Sequence, residues 1–185
     1  MALSHSLNLH SFLLSLLVLF TLSFAFSDIK ANTLVSQICA DTRNPSLCNQ
    51  VLDSDPGAST ADLKGLGYIS IKIALTNVKQ TLPYIKSLVM QTTDVMLKNR
   101  YKTCAENYSN TVDSLNQSKT FLDKGDIPSL RTYASAAFDG PGTCEDSFEG
   151  PPAAPAKLND ANKKLEDHVS ILLKIGALLG GDNSL

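Results

Sequence analysis

Residues 95–125 read VMLKNRYKTCAENYSNTVDSLNQSKTFLDKG, from Val95 to Gly125. Leu97, Tyr101, Cys104, Tyr108, Val112, Leu115 and Leu122 recur mostly at three- and four-residue steps, which places them on one face of an α-helix. Strand-like alternation is missing from the segment. Gly125 follows Lys124 as a C-terminal stop. Glu106, Asn110, Asp113 and Gln117 recur with the same step on roughly the opposite side from Cys104. A long helix with a buried stripe and a polar face follows.

The flanking sequence repeats this grammar. Upstream, Leu63, Leu66, Ile69, Ile73, Leu75, Val78, Leu82, Ile85 and Val89 form another stripe, with Ser59 or Thr60 as the expected cap and a loop at Gln91-Thr92-Thr93-Asp94. Pro83 lies inside this pattern and predicts a kink near residue 80. Downstream, a third long helix is expected from Pro128 on Leu130, Ala134, Ala137, Cys144 and Phe148. Gly140-Pro141-Gly142 should kink or break it. After a loop rich in proline, a fourth runs from about Ala156 to Leu179 on Leu158, Ala161, Leu165, Ile171, Ile175 and Leu178. Nearer the N-terminus, residues 32–39 and 45–52 read as two short helices joined by Asp41-Thr42-Arg43-Asn44-Pro45. Short connections make successive helices antiparallel neighbours. The expected fold is all-α: an up-down four-helix bundle with an N-terminal helical hairpin.

Ser11 to Phe24 is an apolar run, short for a membrane span, with small residues following at Ala25 and Ser27. It reads as a secretion signal cleaved near residues 25–27, although no Lys or Arg precedes it. The expected organisation is a signal over 1–27, the hairpin over 28–58 and the bundle over 59–185. Removal of the signal leaves about 160 residues, enough for one domain with a real core. With 16 basic and 18 acidic residues the chain is slightly acidic, which argues against nucleic acid as a partner. No membrane association is expected after cleavage.

Four cysteines behind a secretion signal read as two disulfides. Of the three pairings, Cys39–Cys48 with Cys104–Cys144 needs the least chain rearrangement. On chain entropy, loops of this size contribute roughly 2.5–3 and roughly 4 kcal/mol respectively. Because Cys104 and Cys144 both lie on apolar stripes, the second bridge would tie two helices together from inside. Asp139, Thr143 and Asp146 oppose Cys144 as Glu106 and its neighbours oppose Cys104. The two polar faces would then lie side by side as one mildly acidic patch. Periodicity alone reads that patch as ordinary solvated surface.

The sequence offers little chemistry. His168, the single histidine beyond the signal, lies toward the apolar face of the last helix and reads as a packing residue. One histidine with no spare cysteine makes no metal cluster, and no cofactor is expected. Glu145, Asp146 and Glu149 cluster, yet their spacing reads as a solvated face rather than an acid–base pair. Nucleophile-elbow, phosphate-loop and zinc-protease motifs are all missing. Asn107-Tyr108-Ser109 and Asn116-Gln117-Ser118 are glycosylation sequons, so Asn107 and Asn116 are candidate acceptors. The alternative of a carrier enclosing a small apolar ligand requires a cavity between the helices, and stripes filled with Leu, Ile and Tyr predict a packed interior instead.

Four stretches carry a resemblance to the plant invertase and pectin methylesterase inhibitor family: Ile38-Cys39-Ala40-Asp41-Thr42-Arg43-Asn44-Pro45-Ser46-Leu47-Cys48, Tyr101-Lys102-Thr103-Cys104-Ala105-Glu106-Asn107-Tyr108, Tyr133-Ala134-Ser135-Ala136-Ala137-Phe138-Asp139 and Gly142-Thr143-Cys144-Glu145-Asp146-Ser147-Phe148. The resemblance implies a hairpin-plus-bundle fold with sequential disulfides and no catalysis. It implies one-to-one, non-covalent binding over the substrate cleft of a cell-wall enzyme, outside the cell. The resemblance implies a contact surface on the second, third and fourth long helices, and residue by residue it falls on Glu106, Asn110, Asp113, Thr143 and Asp146, within the polar face found by periodicity. Pectin methylesterase is the expected partner, with invertase as the alternative. Invertase inhibitors carry Pro-Lys-Phe near the start of the third bundle helix, where this chain has Pro128-Ser129-Leu130. Many relatives carry a further unpaired cysteine in the last helix, where this chain reads Asp167-His168-Val169-Ser170.

Overall fold

The structure, a computed structural model, describes residues 34–182. The secretion signal and the start of the first short helix lie outside the described residues. Six α-helices follow one another: α1 (34–40), α2 (Pro45–Asp53), α3 (Leu63–Gln91), α4 (Val95–Lys124), α5 (Ile127–Asp146) and α6 (Ala156–Leu179), with a 3₁₀ turn at Ala58–Thr60. The described residues contain no β-strand.

Acidic and amide side chains start most of these helices. Asn44 accepts from the Leu47 amide at 3.1 Å, with Pro45 in the first turn of α2. Asp94 caps α4 through the Leu97 amide at 2.7 Å, and Asp126 caps α5 through the Ser129 amide at 3.1 Å. Each satisfies an amide that has no partner inside its helix. For α3 the expected cap was wrong. Ser59 and Thr60 belong to the 3₁₀ turn, and Asp62 is the cap, accepting from the Gly65 amide at 2.7 Å. The α4–α5 turn consists of Gly125 and Asp126 alone. Gly125 takes φ 71°, a left-handed conformation that glycine adopts without penalty.

The four long helices close into a ring in which each packs on the next and α6 returns to α3. Their interior holds Ile71, Val78, Ile85, Tyr101, Tyr108, Leu115, Leu130, Leu158, Leu165 and Leu172 among others. Each large aliphatic side chain buried there contributes roughly 1.5–3 kcal/mol. A second apolar cluster joins the hairpin to the bundle: Val35, Ile38 and Leu52 pack with Leu66 of α3 and with Ile171 and Ile175 of α6. Polar contacts hold the same joint. Arg43 pairs with Glu166 and lies 5.4 Å from the Phe138 ring, Asn44 donates to Asp167 at 3.1 Å, and Lys174 pairs with Asp41 at 2.8 Å.

Pro83 lies inside α3 and Pro141 inside α5, and both helices are continuous, so the break expected at Gly140-Pro141-Gly142 does not occur. Each proline removes one backbone donor, and packing on both neighbouring helices outweighs that loss. At α5 the Gly-Pro-Gly triplet serves a different purpose. A methyl group placed on Gly140 would stand 2.1 Å from the Thr111 Oγ1 and 3.2 Å from the Asn107 carbonyl oxygen. The glycine lets α5 approach α4; it does not end the helix.

Candidate enzyme-binding face

The seam between α4 and α5 is fixed at three levels. Cys104 and Cys144 are bonded, with their Cα atoms 4.4 Å apart, near the short end of the disulfide range. Gly140 lies against Asn107 and Thr111 one level further along. Beyond that, Phe121 and Tyr133 stack with ring centroids 5.3 Å apart. These contacts set an antiparallel register in which Glu106 and Asn110 stand level with Thr143 and Asp139.

All seven residues of the expected face are exposed: Glu106, Asn110, Asp113 and Gln117 on α4, and Asp139, Thr143 and Asp146 on α5. None of their carboxylates forms an ion pair within 4.0 Å among the described residues. Thr143 turns its hydroxyl back onto the Asp139 carbonyl at 3.0 Å. The face is therefore a set of free acceptors on two rigid helices, suited to a partner that brings donors or cations.

The surroundings hold it still. Arg100 of α4 donates to the Gly150 carbonyl at 3.2 Å and the Pro152 carbonyl at 2.8 Å, fastening the loop after α5 onto α4. Phe148, just after α5, packs on Tyr101 with centroids 5.5 Å apart. Beneath the face, the Tyr108 hydroxyl donates to Asn162 Oδ1 at 2.8 Å. Burial holds the Tyr108 phenol well above its ordinary pKa, so it stays a donor.

Sequence reasoning missed three features here. Asn162 occupies the apolar stripe of α6, between Leu158 and Leu165, and that placement was the available signal. Gly140, part of a triplet whose composition signals a kink or break, is instead a point of close approach of α5 to α4. Met90, Val95 and Met96 are exposed apolar side chains around the α3–α4 turn. Of these, Met90 lines a hollow with Val89, Lys86 and Lys102 that adjoins Glu106 at one end of the face.

The two sequons differ. Asn116 is exposed, whereas Asn107 is half-buried and donates its Nδ2 to the Thr103 carbonyl at 2.9 Å. No catalytic pair forms around the remaining candidates: Glu145, Asp146 and Glu149 are all exposed, and His168 is buried. Among the described residues no group of three or more His, Cys, Asp or Glu side chains is placed to hold a metal ion.

The sequence model of the plant invertase/pectin methylesterase inhibitor family matches residues 33–175. The chain belongs to this family. It is 56% identical over 171 residues to a pectinesterase inhibitor of Actinidia deliciosa, covering 92% of both chains. It is 33% identical over 138 residues to a cell wall/vacuolar inhibitor of fructosidase from Arabidopsis thaliana, covering 71% of this chain and 77% of that one. The fold matches a crystal structure of a mutant form of an Arabidopsis pectin methylesterase inhibitor with a TM-score of 0.71 and 25% identity, over 78% of this chain and 95% of that one. Members of this family are inhibitors rather than enzymes. Both disulfides, Cys39–Cys48 and Cys104–Cys144, are formed as expected.

Proposed function

We propose that this chain is a protein inhibitor of pectin methylesterase. The observation that carries the reading is the 56% identity to a pectinesterase inhibitor along nearly the whole of both chains. The similarity to the fructosidase inhibitor is lower and shorter, and Pro128-Ser129-Leu130 lacks the cation and the aromatic ring of the invertase-directed motif. The inhibitor binds one-to-one and non-covalently, laying the α4–α5 face over the enzyme's substrate cleft. Glu106, Asn110, Asp113, Gln117, Asp139, Thr143 and Asp146 supply the contacts. They are exposed, lack ion-pair partners and stand on helices locked together from beneath.

The chain acts outside the cell, in the apoplast and cell wall, after removal of a signal over residues 1–27. Residues 28–58 then form the hairpin and 59–185 the inhibitory bundle, free of any membrane. No helix of the described residues is long and apolar enough to cross a membrane. Asn116 is the better placed glycan acceptor of the two sequons.

The test is release of methanol from pectin by a plant pectin methylesterase, titrated with the mature protein. Activity should fall to near zero close to equimolar inhibitor. Full activity with inhibitor in excess, across several plant isoforms, refutes the reading. Sucrose hydrolysis by invertase in a parallel titration decides the alternative.

A further inference from the structure

On the opposite side of the ring from the α4–α5 face, α3 and α6 leave a half-open groove of about 370 Å³. That volume is within the range of small-molecule sites. Asn77, Gln80 and Tyr84 line one wall, and Lys157, Asp160 and Lys164 the other. The three charged residues follow a three- and four-residue step, so they project from one stripe of α6.

Three observations define what the groove would take. Neither Lys157 nor Lys164 has an acidic partner within 4.0 Å among the described residues, although Asp160 stands between them. Two cations are thus available to an anion. Lys157 is held with its Nζ 4.3 Å from the centroid of the Tyr84 ring, so its charge is placed at the mouth and not dispersed in solvent. Asn77 is only 8% exposed, and its side-chain carbonyl oxygen has no hydrogen-bond partner. A buried acceptor of this kind carries a desolvation cost that is relieved when it meets a donor.

We propose that the α3–α6 groove binds an acidic sugar, a pyranose carrying a free carboxylate, with Lys157 and Lys164 on the carboxylate and Asn77 and Asp160 accepting from ring hydroxyls. Inorganic phosphate or sulfate satisfies the lysines but has no array of hydroxyls for Asn77, and Asp160 repels its higher charge. A neutral sugar satisfies the acceptors and leaves the lysines unpaired. Only a hydroxylated monocarboxylate unit meets both demands. The groove faces away from the inhibitory surface, so this ligand and the enzyme bind together without competition. The proposal goes beyond the inhibitory reading and does not depend on it.

The test is calorimetric titration of the mature protein with trigalacturonate, its fully methyl-esterified form, neutral galactose oligomers, phosphate and polyglutamate. Trigalacturonate should bind, and the other four should bind at least about tenfold more weakly. Lys157→Gln with Lys164→Gln should weaken trigalacturonate binding by at least about tenfold while methylesterase inhibition is unchanged. Both lysines are exposed, so the variant keeps its fold. Asn77→Asp should also weaken binding, by adding a second negative charge against the ligand. No detectable binding of trigalacturonate overturns the proposal. So does equal binding of the ester, of the neutral galactose oligomers, of phosphate or of polyglutamate, or undiminished binding by the double variant.

Discussion

Tyr108 and Asn162 meet across the diagonal of the bundle, the phenol of α4 donating to the amide oxygen of α6 at 2.8 Å with both side chains fully buried. The Asn162 amide nitrogen stands 3.5 Å from Cys144 Sγ on α5. One asparagine thus ties the helix pair that makes the candidate face to the helix behind it. An aliphatic residue would fill the space but leave the phenol without an acceptor.

Asn162→Leu should therefore cost about 1–3 kcal/mol, the penalty for an unsatisfied buried donor. Combining it with Tyr108→Phe removes the orphaned group and should restore much of the loss. Urea unfolding of the two single variants and the double variant measures both quantities. Simple additivity of the two losses would mean that the hydrogen bond contributes nothing of its own.

Gly140→Ala should be poorly tolerated. Its new methyl group meets the buried Thr111 hydroxyl at 2.1 Å and the Asn107 backbone oxygen at 3.2 Å, and relief requires α5 to move off α4. Overpacking at such a joint costs about 1–3 kcal/mol, and the shift should weaken inhibition because it separates the two halves of the face. Gly142→Ala is the control, since its nearest contact is Glu166 Oε1 at 3.5 Å. A double variant with Thr111→Ala should regain part of the loss. Thermal unfolding and inhibitor titration of the three variants check the argument.

The same glycine shows where the sequence was legible and where it was not. The helices, their order and the disulfide pairing follow from periodicity, turn residues and cysteine placement, all local properties of the chain. Gly140 looks like punctuation in one dimension, because the reason for it lies on α4, some thirty residues earlier. Asn162 and Asp62 were overlooked for related reasons. One answers a phenol on another helix, and the other outcompetes two nearer-looking caps once residues 58–60 turn early. The seven face residues could be found as a polar stripe, but a stripe carries no partner's name. That part of the reading came from resemblance.

His168 gives the stability a pH dependence. It is 4% exposed, and neither ring nitrogen has a hydrogen-bond partner. Burial chiefly, and the nearby Lys164 charge secondarily, push its pKa down from 6.5 to about 4, against a smaller upward pull from Asp167. Between those values the unfolded chain binds a proton that the folded chain refuses. The stability is whole above pH 6.5 and declines as pH falls toward 4, by on the order of 3 kcal/mol in total. His168→Leu should flatten this part of the curve, as read by urea midpoints between pH 4 and 7. A slope that persists in the variant assigns the effect to other groups.

The candidate face should make inhibition itself pH-dependent, because Glu106, Asp113 and Asp146 would exchange solvent for the enzyme's surface on binding. Asp113→Asn with Asp146→Asn keeps their shape and removes two charges. Inhibition constants measured across the acidic range should show a flatter profile for the variant than for the parent. An unchanged profile removes these two carboxylates from the interface.

The two disulfides should separate stability from inhibition. Cys39–Cys48 closes the hairpin beside α3 and α6, whereas Cys104–Cys144 lies directly under the face. Chain entropy assigns the longer loop roughly 4 kcal/mol and the shorter roughly 2.5–3, so replacing either pair by alanine lowers the unfolding midpoint. The distinction appears in protein that is still folded, at low temperature. Without the Cys104–Cys144 bond nothing covalent holds α5 against α4 at the level of Glu106, Thr143 and Asp146, and the affinity for the methylesterase should fall. Without the Cys39–Cys48 bond the seam is intact, because its register is set by Gly140, by the Phe121–Tyr133 stack and by the remaining bridge. Affinity should then stay close to that of the parent. Equal loss of affinity in both variants would place the hairpin, and not the α4–α5 seam alone, in the inhibitory contact.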